Sequence, residues 1–213
     1  MKHQPWLFAG TEVKLPRNKE LNEQMRMKRI EQILVNSLRL FARRGLKATK
    51  ISDIAAETGM SQGLIYHYYR SKEEIYTEII KDAFKRLNMA VTILKNSPMS
   101  PLEKIKKAIA GLLKNLEESE DSARYHYLIA QASVSDAIPA ETKEIIEKNR
   151  DFPYRIMEEI IREGQMQGTI KKHDPKEMSL MFWTTIKGLA MHKAVLGKNF
   201  KAPSPEILME IFI

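Results

Sequence analysis

Apolar residues recur at helical spacing along most of the chain. Met27, Ile30, Leu34, Leu38 and Phe41 form one stripe and predict a helix over about 21–44, with Arg43, Arg44 and Gly45 closing it. Ile51, Ile54, Ala55 and Thr58 predict a short helix over 51–58. Gly59-Met60-Ser61 then interrupts the pattern, since Gly59 tolerates the left-handed conformation of a helix end and Ser61 can cap a new helix. That helix, about 62–69, is only two turns long, so neighbours must hold it in place. Leu64, Ile65 and Tyr69 supply its inward face. Ser71-Lys72-Glu73-Glu74 reads as a capping box opening a long helix over 72–96, with Ile75, Ile79, Ala83, Leu87, Val91 and Leu94 on one side.

The pattern stays helical to the C-terminus. Pro101 opens a helix that turns Leu102, Ile105, Ile109, Leu112 and Leu116 inward, and a second runs over about 122–136. A third spans about 139–166, with Pro153 expected to kink or break it near Phe152. Asp174-Pro175 starts a fourth that ends at Leu196 before Gly197, and a short piece comes after Pro203 and Pro205. The fold class is therefore all-α: a three-helix head followed by a C-terminal helical bundle. The domain reading is an N-terminal extension over 1–21, a head over 22–72, a linking helix over 73–96 and a body over 97–213. In the extension, Pro5, Gly10 and Pro16 argue against a continuous helix. Its Trp6, Leu7 and Phe8 leave two readings, a loosely attached tail or an arm reaching DNA or a partner subunit.

Charge sharpens this picture. The net charge is +8, and residues 1–72 carry all of it, with 14 Lys+Arg against 6 Asp+Glu. Residues 73–213 hold 21 of each. A basic head on a neutral body is the electrostatic footprint of a nucleic-acid binder. Two short helices joined by a Gly-containing turn match a helix-turn-helix. The second of them leaves Gln62, Gly63, Tyr66, His67 and Tyr68 outward, with hydroxyl and imidazole groups able to bond phosphates and base edges. Near the start of the first helix, Arg26, Lys28 and Arg29 are either phosphate contacts or a solvated face.

Other classes find little support. No apolar run approaches the length of a membrane span, no signal-peptide core comes after the first charges, and there is no Cys. A cytoplasmic protein without a membrane partner is the expectation. His3, His67, His126, His173 and His192 are scattered rather than at ligand spacing, and neither a phosphate loop nor a nucleophile elbow is present. No catalytic residue, metal or cofactor is assigned, so an all-helical enzyme is the remote alternative. An architectural DNA binder without a small-molecule ligand is the other, although it predicts basic residues along the whole chain.

Thr49, Ile54-Ala55, Gly59-Met60-Ser61, Leu64-Ile65-Tyr66, Tyr69 and Ser71-Lys72-Glu73-Glu74 together resemble the DNA-binding head of the TetR family of bacterial transcription regulators. The resemblance covers about residues 26–95. It implies a sequence-specific regulator, typically a repressor, released from a palindromic operator by a small apolar effector. It also implies that Gln62, Gly63, Leu64 and His67 face bases while Thr49, Lys50, Tyr66, Tyr68 and Lys72 touch phosphate. Ser52 fits either role, and Ser61 caps the helix at the interface. The stretch 161–175 resembles the link between the family's last two long helices, which implies a homodimer. An effector pocket in the body is expected to draw on Met89, Tyr125, Phe152, Met157, Met181 and Trp183, since Met suits a cavity accepting several ligand shapes.

Overall fold

Ten α-helices carry residues 17–213, the part of the chain that this computed structural model describes, and no strand occurs among the described residues. They are α1 (Arg17–Ala48), α2 (Ile51–Thr58), α3 (Gln62–Tyr68), α4 (Lys72–Asn96), α5 (Pro101–Glu118), α6 (Glu120–Val134), α7 (Ala140–Asn149), α8 (Phe152–Met166), α9 (Pro175–Leu196) and α10 (Pro205–Met209). A 3-10 turn, Gly197–Asn199, extends α9. The all-α expectation holds. The readings placed on Trp6, Leu7 and Phe8 lie outside the described residues.

α1 begins at Arg17, directly after Pro16 and inside the stretch read as an extension over 1–21. Three further boundaries differ from the sequence pattern, each for a local reason. α1 runs on to Ala48, but Gly45 sits at φ 76, ψ 165, so the helix is broken where the sequence places its end and resumes for a few residues. The segment over 139–166 is two helices rather than one kinked helix. α7 stops at Asn149 and α8 begins at Phe152, which puts Pro153 in a first turn where its missing N–H costs nothing. α6 starts at Glu120, two residues early, because Ser119 rather than a later residue caps it, its Oγ accepting from Ser122 N–H at 3.2 Å.

Two cores organise the packing. One joins Ile33, Leu38 and Phe41 of α1 to Ile54, Ile65 and Ile75, Ile79, Ile80 of α4, and reaches Leu128 of α6 and Ile146 of α7. The other gathers Val91 of α4, Ile105 and Ile109 of α5, Ile160 of α8, Phe182 and Trp183 of α9, and Phe212 beyond α10. α4 contributes to both, so one continuous helix ties the head to the body. Polar pairs reinforce the joint. The Thr77 and Thr142 hydroxyls meet at 2.7 Å, buried between α4 and α7, and Arg39 of α1 donates to Asp121 of α6 at 3.1 and 2.9 Å.

Buried or half-buried lysines close helix C-termini. Lys72 Nζ donates to the carbonyls of Leu46, Lys47 and Thr49 at 2.8, 3.0 and 2.8 Å, Lys104 Nζ to Lys95 O at 2.6 Å, and Lys193 Nζ to Glu117 O at 3.1 Å. Lys104 and Lys193 place a cation on C-terminal carbonyls that no helical N–H can reach, at the negative end of the helix dipole, while Lys72 binds the carbonyls left free after the break at Gly45. At Gly164 of α8 the turn after the helix folds back so closely that an added Cβ would stand 2.2 Å from Ile170 Cδ1. Gly164→Ala should therefore lower stability by about 1–3 kcal/mol through overpacking, read as a lower urea midpoint with unchanged m.

The six effector candidates do not gather around one cavity. Met89 and Met181 are exposed, because each falls off the inward stripe of its helix. Met157 and Trp183 are buried in the body core, where the Trp183 indole N–H donates to Pro153 O at 3.1 Å and the ring meets Phe182 edge-on. Phe152 packs at the edge of that core, whereas Tyr125 packs against the other one. Apolar composition marks apolar positions but not which side of each helix turns inward.

Candidate nucleic-acid interface

The break at Gly45 turns the chain into the short extended link that precedes α2. Lys50 N–H donates to Asp53 Oδ2 at 2.8 Å, satisfying an otherwise orphan donor at the start of α2. Ile51, Ile54 and Ala55 bury its inner face. Gly59, at φ 68, ends the helix in a left-handed conformation, and Met60 N–H closes back onto Ala55 O at 3.0 Å. Ser61 caps α3, its Oγ accepting from Leu64 N–H at 3.2 Å. Ser71 caps α4 through Glu74 N–H at 3.2 Å, while the Glu74 carboxylate accepts from Arg70 N–H at 2.6 Å. The capping box thus reaches one residue further back than its usual form, and fixes the link between α3 and α4.

α3 is anchored by little: Ile65 is fully buried, Leu64 and Tyr68 are half-buried, and Tyr69 is buried just after it. Burial, reinforced by Glu78 and Glu74, pushes the Tyr69 phenol up to about 12, so it stays protonated and belongs to the head's packing. Gln62, Gly63, Tyr66 and His67 face solvent, and His67 stands edge-on to Tyr68 with ring centroids 5.3 Å apart. Beside α3 lies a groove of about 420 Å³ between the starts of α2 and α4, lined by Lys50, Ser52, Gln62, Tyr66, Arg70 and Lys72 among others. The arrangement offers hydroxyl, amide, imidazole and cationic groups on one open face, suited to phosphate oxygens and base edges.

Most of the residues singled out from sequence converge here: Lys50, Ser52, Ser61, Gln62, Gly63, Tyr66 and His67 are exposed, and Leu64 and Tyr68 partly so. Two are corrected. Thr49 is wholly buried and its hydroxyl donates to Gly45 O at 2.8 Å, so that side chain stabilises the broken end of α1 instead of facing a phosphate. Lys72 reaches the groove wall, but its ammonium is already committed to three carbonyls. Arg70 was missed. It is exposed, lines the groove and sits between two helices, and its signal was a basic residue immediately before the Ser71 cap.

Gly63 has no internal reason to be Gly. A Cβ there would find only Ser61 Oγ, at 4.0 Å. Gly63→Ala should raise helix stability by up to about 1 kcal/mol. It should at the same time weaken duplex binding by about tenfold, roughly 1.4 kcal/mol, if a duplex approaches that backbone. Thermal melts and fluorescence anisotropy read the two effects separately.

Comparison with known proteins agrees with this geometry. The model for bacterial regulatory proteins of the tetR family matches residues 33–79, which span the second half of α1 through the first turns of α4. The HTH-type transcriptional repressor KstR2 of Mycolicibacterium smegmatis is 27% identical over 143 residues, covering 67% of this chain and 68% of that protein. KstR2 of Mycobacterium tuberculosis is 34% identical over 74 residues, covering 35% of this chain and 37% of that protein. Among solved structures, the MbdR regulator from Azoarcus sp. CIB superposes with TM-score 0.74 at 20% identity, covering 86% of this chain and 96% of that one. AibR in complex with isovaleryl coenzyme A and operator DNA superposes with TM-score 0.64 at 19% identity, covering 85% and 94%.

Proposed function

From the premise that this chain belongs to the TetR family of bacterial transcription regulators, we propose that it is a homodimeric repressor. In this reading it seats one α3 in each of two successive major grooves of a palindromic operator. The observation that carries the reading is α3 itself, a helix held by one fully buried side chain that turns Gln62, Gly63, Tyr66 and His67 outward. Gln62, Gly63, Leu64 and His67 face bases; Lys50, Ser52, Tyr66, Tyr68 and Arg70 touch phosphate. Residues 22–72 form the DNA-binding unit, α4 the link, and 97–213 the body that dimerises and holds an effector. Repression is supported by the names of the curated relatives, and an effector by the coenzyme A ester in the AibR complex.

The dimer is supported by α9. Its inner face is buried, yet Leu180, Thr184, Gly188, Met191 and Val195 fall at helical spacing on the outer side and are all exposed. A helix apolar on both sides needs a second partner. Two-fold pairing of this stripe brings two heads onto one duplex, and the groove repeat then sets the centres of the half-sites about 34–36 Å apart.

Selection of duplexes from a random library by the purified protein tests the function. Enrichment of a palindrome is expected. Recovery of DNA without a shared sequence would return the chain to the architectural alternative. On the selected operator, His67→Ala should relax preference at one or two base pairs, costing roughly 1–3 kcal/mol there and little elsewhere.

A further inference from the structure

A second cleft lies where the head meets the body, away from α3. It is walled by α1, α6 and α9, with Glu57 contributed by α2, and has a volume of about 430 Å³, within the range of about 300–1,000 Å³ typical of small-molecule sites. Its walls are strongly charged. Arg39 and Arg43 come from α1, Arg124 from α6 and Lys193 from α9, against the carboxylates of Glu57 and Glu120. Leu40 forms an apolar wall, and Val195, last in the outer stripe of α9, closes one end.

The four cations are not equivalent. Arg39 is held by Asp121 at 2.9 Å, and Arg124 by Glu120 and Asp121 at 2.6 and 2.7 Å. Arg43 and Lys193 have no carboxylate oxygen within 4.0 Å among the described residues. Lys193 is also 4% exposed. Its Nζ donates to Glu117 O at 3.1 Å and stands 5.7 Å from the centre of the Phe200 ring. Its longer-range partner is Glu120, whose carboxyl is held low first by Arg124 and more weakly by Lys198 and Lys193. Capping α5 explains where the ammonium points; Arg43, exposed on the α1 wall, adds a second cation that no carboxylate pairs within 4.0 Å among the described residues.

We propose that this cleft is a binding site for a small dianion of the phosphate or dicarboxylate class, one charge answering Arg43 and the other Lys193. Arg43 belongs to the head helix and Lys193 to the body. A bound dianion therefore bridges α1 and α9 and strengthens the clamp that Arg39 and Asp121 already make between α1 and α6. The site is separate from the α3 face and lies outside the apolar body core.

Isothermal titration of the full chain with inorganic pyrophosphate, and separately with succinate, at constant ionic strength and without DNA, tests the assignment. Saturable binding of one or both is expected, weakened at least about tenfold by Arg43→Gln and by Lys193→Met. The anion that binds names the class. Lys50→Gln and Arg70→Gln, in the α3 groove, should leave binding unchanged. If Lys193→Met does not fold, Arg43→Gln decides alone, since Arg43 is exposed. Absence of saturable binding up to millimolar anion overturns the proposal. So does loss of binding in Lys50→Gln or Arg70→Gln with Arg43→Gln unaffected, because the anion would then sit on the nucleic-acid face. No outcome depends on operator recognition, so the proposed function stands or falls separately.

Discussion

Gly188→Arg should yield a folded monomer with little operator affinity. Gly188 lies mid-way along the outer stripe of α9, and a Cβ added there meets nothing within 4 Å in the isolated chain. Within one subunit the substitution even replaces a poor helix former with a good one, a gain of roughly 0.5–1 kcal/mol. Across a two-fold axis the same guanidinium would be driven into its own copy, bringing two charges together in an apolar seam. Sedimentation should show loss of the dimer while circular dichroism stays helical. Operator affinity should fall by about 10²–10⁴, because the second head no longer benefits from the effective concentration set by the first. Thr184→Arg, four residues earlier and also exposed, should behave alike. A dimer that persists in both variants would place the seam elsewhere and leave the exposed apolar side of α9 without an explanation.

The head was legible from sequence because its signals are local. Gly59 and the Ser61 and Ser71 caps act within a few residues, so spacing alone located α2, α3 and the start of α4. Ile65 and Tyr69 were readable as inward because a two-turn helix leaves few choices of face. The body was legible as helices but not as a site. Whether Met181 points into a pocket or out of α9 depends on which neighbours cover which face, and helix-helix docking is not written in any short window. Thr49 shows the same limit at close range. Its type and position fit a phosphate contact, yet the reversal at Gly45 brings a carbonyl within 2.8 Å of its hydroxyl and turns it inward. Arg70 escaped for the opposite reason: it belongs to no helix, so no periodic pattern marks it.

Lys72→Met should destabilise the head and leave the salt dependence of DNA binding almost unchanged. The family resemblance implied a phosphate contact, for which removing the charge would make the slope of log K against log salt shallower by about 1 and weaken every duplex alike. The structure gives the ammonium another task. It bonds Leu46 O, Lys47 O and Thr49 O, which belong to the broken end of α1 and the link into α2. Those carbonyls lie 23–26 residues away in sequence, so Lys72 pins the start of α4 to the start of α2. Charge-assisted hydrogen bonds are worth about 1.5–3 kcal/mol each when buried. These are only partly buried and water can replace some of them, so a total cost of about 1–3 kcal/mol is expected. In a chain of this size that lowers Tm by roughly 2–10 °C. Methionine keeps most of the apolar stem, which separates loss of the charge from loss of packing. Operator affinity should fall because α2 and α3 are less firmly placed, and compounds that stabilise the fold without touching DNA should recover part of it. Arg70→Gln is the comparison. Its side chain is exposed in the same groove, so its loss should leave stability within about 0.5 kcal/mol of the parent while the salt slope falls by about 1. If Lys72→Met instead keeps the parental Tm and flattens the salt slope, the ammonium leaves its three carbonyls when DNA arrives, and the phosphate reading returns.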